Sequence, residues 1–262
     1  MVTGVTAPEP PPEDRRRERA DSFGAVAQLY DRVRPSYPEA AVRWALEPLG
    51  AGTHRIADIG AGTGIMTRLL AGLGQRAIAV EPDEQMRRQL LATTRDVEVV
   101  PGRAESLPFA DASLDGAIAA QAYHWFDRDR AHPELGRVIR PGGVFAAIWN
   151  DRDESVAWVT EYTRIVQGDR DPNSGGTREA HTGYGEPFGP VEVATFRHAT
   201  THTPDSLVAL LRSRSYFLTA SPERKAALEQ EVRDLARSHP DISGRPEFEL
   251  SYLTVVYRAT HV

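Results

Sequence analysis

A glycine cluster between two changes of period constrains this chain most. Arg55-Ile56-Ala57-Asp58-Ile59 is a short apolar run with the character of a buried strand. Gly60-Ala61-Gly62-Thr63-Gly64 stops it, and a helical pattern runs from Thr63 to Leu73. Gly60 and Gly62 allow a tight turn and close approach of a ligand to the backbone. The helix start behind them offers free N–H groups and the positive end of a dipole. A dinucleotide fingerprint needs glycine at 65, where Ile65 stands, and a Walker loop needs Gly-Lys-Ser/Thr, which is absent. Glu81 closes the next apolar run, Ala77-Ile78-Ala79-Val80. An acidic side chain there accepts hydrogen bonds from both hydroxyls of a ribose. Loop and acid together describe a nucleoside pocket without a pyrophosphate arm.

The alternation continues along the chain. Helical patterns cover Asp83 to Ala92 and Arg128 to Ile139, and strand patterns cover Val97 to Val100, Leu114 to Ala120 and Gly143 to Trp149. Strands alternating with helices predict a mostly parallel sheet covered by helices on both faces. Before the glycine loop, Phe23, Val26, Ala27 and Tyr30 share a helical face. Arg34-Pro35-Ser36-Tyr37-Pro38 breaks it, and Pro38 suits the first turn of a second helix. After the fifth strand come a helix over Glu154 to Val166 and a glycine- and proline-rich loop over 168–190. A strand over Glu192 to His202, helices near 205–213 and 222–238, and a strand over Phe248 to Ala259 complete the pattern. Residues 1–20 are proline-rich and charged and read as a disordered tail, leaving 21–262 as a single domain.

Composition removes several function classes. The 262 residues contain no cysteine, which excludes disulfide scaffolds, thiolate zinc sites and cysteine nucleophiles. The formal charge is −6, so a nucleic-acid partner is not expected. No apolar stretch is long enough for a membrane span, and no apolar core of a secretory signal follows Met1, so a cytoplasmic protein is expected.

The segment Ile56 to Gly64 resembles motif I of the class I S-adenosylmethionine-dependent methyltransferases. Glu81-Pro82-Asp83 with Met86 is similar to their second motif. Ala104-Glu105-Ser106-Leu107-Pro108-Phe109 resembles the adenine-side loop, Leu114 to Ala120 the fourth strand, and Arg140-Pro141-Gly142-Gly143 the turn before the fifth. Gln121-Ala122-Tyr123-His124-Trp125-Phe126-Asp127 and Tyr30 to Pro38 look like the subgroup of trans-aconitate-type small-molecule carboxyl methyltransferases. The resemblance implies an α/β, Rossmann-like fold. Its seven-stranded, mostly parallel sheet has order 3-2-1-4-5-7-6 with the last strand antiparallel.

The same resemblance implies the cofactor, S-adenosyl-L-methionine, leaving as S-adenosyl-L-homocysteine, and a set of roles. The backbone of Gly60, Ala61 and Gly62, with Asp58 beneath it, holds the methionyl end, and Glu81 holds the ribose. Pro82 and Met86 offer apolar contact to the adenine, and the Ala104 N–H reaches its ring. Arg103 stands where an aspartate commonly accepts from the adenine amine, and Glu105 is the substitute acceptor. Gln121 and Ala122 line the path to the acceptor. Tyr30 contacts the cofactor head and Arg34 an anionic group. Tyr37, His124 and Trp125 face the substrate, with the 168–190 loop lying over that side. Tyr184, Phe188, Tyr216 and Phe217 form an apolar pocket wall or ordinary core.

His124 is the candidate general base; the alternative is an imidazole held by packing on Trp125. No metal site is expected, since Asp151 and Asp153 alone are weak grounds for one. The expected activity is methyl transfer to a small molecule, at a carboxylate or hydroxyl oxygen. The alternatives are an RNA or protein methyltransferase, or a cofactor-binding protein with altered chemistry.

Overall fold

A computed structural model describes residues 27–167 and 183–262. The proposed N-terminal tail, the start of the first helical pattern and most of the 168–190 loop lie outside the described residues.

The sheet is built from β1 (Arg55–Ile59), β2 (Arg76–Val80), β3 (Glu98–Val100), β4 (Leu114–Ala120), β5 (Ile139–Arg152), β6 (Glu192–His202) and β7 (Phe248–Thr260). Its order is β3-β2-β1-β4-β5-β7-β6, as expected. Pairing is parallel from β3 to β5, and β7 runs antiparallel to both β5 and β6.

Side chains alternate across the central strands with period two. Ala57, Ile59, Ala117, Ala119, Phe145 and Ala147 face one core, covered by Ala131, Leu135 and Val138 of helix Arg128–Val138. Ile56, Ile118, Val144, Ala146 and Ile148 face the other. That face is covered by Ala41, Val42 and Ala45 of helix Glu39–Leu46 and by Met66 and Leu70 of helix Ile65–Gly72. Numbered in chain order, the helices are α1 (Ala27–Val33), α2 (Glu39–Leu46), α3 (Ile65–Gly72), α4 (Glu84–Thr93), α5 (Arg128–Val138), α6 (Ala157–Gln167), α7 (Pro204–Arg212), α8 (Ser215–Leu218) and α9 (Pro222–Ser238). None of the described helices is long and apolar enough to cross a membrane.

A third apolar cluster joins α6, α7 and α9 to Phe217 of α8 and to Phe248, Leu250 and Tyr252 at the start of β7. Because β7 is antiparallel, its start lies beside the carboxyl end of β5, with Tyr252 opposite Arg152. The helical cluster therefore stands over the carboxyl ends of the parallel strands, where open α/β sheets bind ligands.

Two differences from the sequence expectation matter for the site. First, β5 runs on to Arg152 rather than ending at Trp149. Its pairing with β4 stops at Ile148, but antiparallel pairing with β7 continues to Arg152 and carries Asn150, Asp151 and Arg152 beyond the sheet centre. Second, the described end of the 168–190 loop joins the core rather than the substrate side. Tyr184 is fully buried, its ring lies 4.7 Å from Phe145, and its hydroxyl donates to the Tyr257 carbonyl at 3.0 Å. Phe188 is buried in the same cluster, and Phe217 in the helical one.

Gly143, in the turn before the buried part of β5, tests this packing. A Cβ there would lie 2.5 Å from Ile139 Cγ2, 2.6 Å from the Asp115 carbonyl and 2.8 Å from the Arg140 carbonyl. Two of those atoms are backbone and cannot swing away. Gly143→Ala is expected to cost about 1–3 kcal/mol, read in urea as a lower midpoint at unchanged slope.

Candidate functional site

A cleft of about 650 Å³ opens at the carboxyl ends of β1, β2, β4 and β5. The strand order reverses between β1 and β4, which leaves a crevice between their outgoing loops. Every residue assigned from the sequence to cofactor or substrate lines it: Tyr30, Arg34, Tyr37, Asp58, Gly60, Ala61, Gly62, Glu81, Pro82, Met86, Ala104, Glu105, Gln121, Ala122, His124 and Trp125.

The floor is the glycine loop. The Gly60 and Ala61 N–H groups both donate to the Val80 carbonyl, at 2.8 and 3.1 Å, which folds the loop back over the end of β2. Gly60 has φ +73°, and a Cβ there would lie 2.6 Å from Ala122 Cβ. Both backbone conformation and space therefore require glycine at this point. Gly62 has φ +56°, and a Cβ there would meet no atom within 4 Å, so its backbone faces open space.

Glu81 ties this loop to the next. Its Oε2 accepts from the Gly62 N–H at 2.8 Å and its Oε1 from the Asp83 N–H at 2.9 Å. Burial pushes the carboxyl above its usual range, and these two backbone donors oppose the shift. Each carboxylate oxygen keeps further acceptor capacity toward the cleft. Asp83 caps α4, accepting from the Met86 N–H at 2.8 Å, which sets Met86 against the cleft.

Asp58 is 1% exposed and accepts from the Thr67 hydroxyl at 2.6 Å. Burial raises its pKa to about 7; the Thr67 hydroxyl opposes this and the charge of Glu81 adds to it. The Thr63 hydroxyl, also in the cleft lining, is buried without a hydrogen-bond partner among the described residues.

Opposite the loop, Gln121 ends β4 with φ +56°, a left-handed conformation that disfavours a side chain. Its N–H donates to the Ile148 carbonyl at 2.8 Å and its Nε2 to the Asn150 carbonyl at 3.2 Å, which holds the strained residue in place. The chain then turns through a 3₁₀ helix, Tyr123–Trp125. The turn separates the aromatic run. His124, Trp125 and Phe126 line the cleft, whereas Tyr123 is fully buried in the core, its hydroxyl 2.8 Å from His132 Nε2. The rings of His124 and Trp125 lie 4.8 Å apart. Glu105 is in part committed elsewhere, its Oε1 accepting from the Asp127 N–H at 2.8 Å. Arg103 sits exposed on the rim.

The far wall comes from the N-terminal helix and the helical cluster. Asp31 on α1 pairs with Arg68 on α3 at 2.6 Å, and Arg34 Nη2 donates to the Ser213 carbonyl at 3.2 Å, so α1 is fastened on two sides. The Arg34 guanidinium lies 4.6 Å from the centre of the Tyr30 ring. This wall also contains Asn150, Arg152 and Arg214, which the sequence alone did not single out, together with Tyr216 and with Asp151, which was weighed only as a weak metal ligand. The extension of β5, the turn before α8 and α8 itself bring them in, and none has a local motif.

Residues 57–147 match the methyltransferase domain family. An uncharacterized methyltransferase of Mycobacterium tuberculosis is 38% identical over 245 residues, covering 94% of this chain and 98% of that protein. Malonyl-[acyl-carrier protein] O-methyltransferase of Methylococcus capsulatus is 38% identical over 133 residues, 48% of each chain. A solved putative type II methyltransferase from Anaeromyxobacter dehalogenans is 28% identical with a TM-score of 0.68, covering 87% of this chain and 98% of that one. Matched along nearly its whole length by such a relative, and carrying the sheet order expected of them, the chain belongs to the class I S-adenosylmethionine-dependent methyltransferases.

Proposed function

We propose that the protein methylates a small molecule at a carboxylate or hydroxyl oxygen, with S-adenosyl-L-methionine as donor, in the manner of the trans-aconitate-type subgroup. The observation that carries the reading is a single cleft of about 650 Å³ lined by the glycine loop and Glu81 together with His124, Trp125 and Tyr37. That volume suits a cofactor beside a small acceptor. The half-length likeness to malonyl-[acyl-carrier protein] O-methyltransferase supports an oxygen acceptor.

The residues present fit the cofactor. Glu81 has acceptor capacity for two ribose hydroxyls, and Asp58 is a buried carboxyl suited to an ammonium. The unpartnered Thr63 hydroxyl and the bare backbone at Gly62 suit the polar methionyl end. Pro82, Met86 and the Ala104 N–H would flank the adenine, with Glu105 at its amine. Tyr30 would close over the cofactor head with Arg34 beside it facing an anionic group, and Gln121 and Ala122 would line the passage between donor and acceptor.

When bound, the cofactor supplies a methyl group already activated on a positively charged sulfur. The protein's task is then alignment and exclusion of water. A carboxylate acceptor needs no proton removed. A hydroxyl acceptor gives its proton to His124.

Glu81→Gln is expected to weaken S-adenosylhomocysteine binding about tenfold or more by calorimetry, the scale of a lost hydrogen bond to a charged group; unchanged affinity removes Glu81 from the ribose site.

Asp58 gives the binding a pH dependence. Its raised pKa means that the proton-bound form stabilises the ligand-free fold below about pH 4, and that this contribution is lost as pH rises through about 7. A bound ammonium favours the carboxylate instead. Affinity should therefore rise between pH 6 and 8 with proton release on binding, and Asp58→Asn should flatten that slope.

A panel of carboxylic acids and phenols, assayed for S-adenosylhomocysteine release with His124→Ala alongside, tests the acceptor. Turnover of an acid should survive the substitution, and turnover of a phenol should drop by about 10²–10⁴. Silence on every small acceptor overturns the small-molecule reading.

A further inference from the structure

Three arginines gather along the wall of the cleft, and no carboxylate among the described residues forms an ion pair with any of them. Arg34 follows α1, Arg152 ends β5, and Arg214 lies between α7 and α8. All three line the same cleft, and Arg34 and Arg214 also line a small recess that adjoins it. Each guanidinium has five N–H donors. The protein uses few of them: Arg34 Nη2 donates to the Ser213 carbonyl and Arg152 Nε to the Thr163 hydroxyl at 2.6 Å. The Nε atoms of Arg34 and Arg214 are buried with no acceptor among the described residues. Asp151 and Glu154 line the same cleft, yet no carboxylate among the described residues comes within ion-pair distance of any of the three guanidinium groups.

The cations also oppose one another. Burial pulls Arg34 down to about 10 and lowers Arg152, and in each case the charge of Arg214 adds to the depression. Tyr30, Tyr216 and Tyr252 face Arg34, and Tyr162, Tyr216 and Tyr252 face Arg152; Asp151 also feels the Arg152 charge, but burial holds its carboxyl above the usual range. Like charges gathered out of water with donors unused are costly unless a counter-charge arrives. Guanidinium groups suit carboxylate and phosphate because their forked donors match two oxygens at once.

We propose that Arg34, Arg152 and Arg214 bind a doubly charged anionic group of the methyl acceptor, either a phosphate monoester or a pair of carboxylates. The inference rests on reading the cleft as a methyl-transfer site, and it makes that site selective for acceptors with an anionic anchor remote from the methylated atom. Neutral acceptors of the same size leave the three guanidinium groups unpaired and bind poorly.

The test is calorimetry on the full chain saturated with S-adenosylhomocysteine, titrating inorganic phosphate or succinate at ionic strength held constant with chloride. At least one of the two anions should bind, and Arg152→Gln and Arg214→Gln should each weaken it tenfold or more. Arg212→Gln, which removes an exposed arginine paired with Glu229, should not. S-adenosylhomocysteine affinity measured on each variant shows that it is folded. Binding of phosphate alone selects the monoester, and binding of succinate alone selects the paired carboxylates. Absence of both, or binding indifferent to the two substitutions, overturns the arginine site while the cofactor site stands. Failure of the wild-type chain to bind S-adenosylhomocysteine overturns the reading beneath it as well.

Discussion

The Glu81 carboxylate joins two loops that would otherwise be independent. One oxygen takes the Gly62 N–H from the loop after β1, and the other takes the Asp83 N–H at the start of α4. Free amides at loop turns and helix starts usually bind water. Here one buried side chain engages both and fixes the distance between the glycine loop and Met86. The floor of the cleft and one of its sides are set by that single group. Because the carboxylate is buried, these bonds are stronger than they would be in water, and losing one leaves an unmet charge rather than a solvated one.

A second constraint acts across the cleft, between Gly60 and Ala122. With only 2.6 Å between an added Cβ and Ala122 Cβ, the outgoing ends of β1 and β4 are as close as side chains allow. Gln121 takes a left-handed conformation so that the chain can leave β4 past that contact. The strain there is balanced by hydrogen bonds to Ile148 and Asn150 on β5. Charge of both signs lines the cleft. Asp58 and Glu81 are shifted toward the neutral acid by burial. Arg34 and Arg152 are shifted toward the neutral base by burial and by Arg214. Asp151, beside Arg152, is also raised by burial. The cleft therefore holds several charged groups that the protein itself leaves poorly compensated.

The legible part of the site was the part built by neighbours in sequence. Gly60, Gly62 and Asp58 lie within five residues, and Glu81 and Met86 follow one strand later, so strand period and turn chemistry suffice to place them. The aromatic run after β4 was legible as a group but not in its directions. The 3₁₀ turn sends His124 and Trp125 to the cleft and Tyr123 to the core, Phe126 after it touches both, and residue type alone does not distinguish them. Tyr184 and Phe188 carried the same ambiguity and became core because β5 and β7 offered Phe145 and Tyr257 as partners.

By itself the sequence determined the strand–helix alternation, the glycine turn at the first strand and the acid at the second. Each of these depends on periodicity or on a backbone conformation open only to glycine. The tertiary structure alone decided what stands opposite them. Arg34, Arg152 and Arg214 are far apart in the chain. They meet because antiparallel pairing with β7 lengthens β5, because Asp31 and Arg34 fasten α1 across the cleft, and because the helical cluster settles on the start of β7. Contacts of that kind depend on where whole elements pack, and local periodicity carries no record of it.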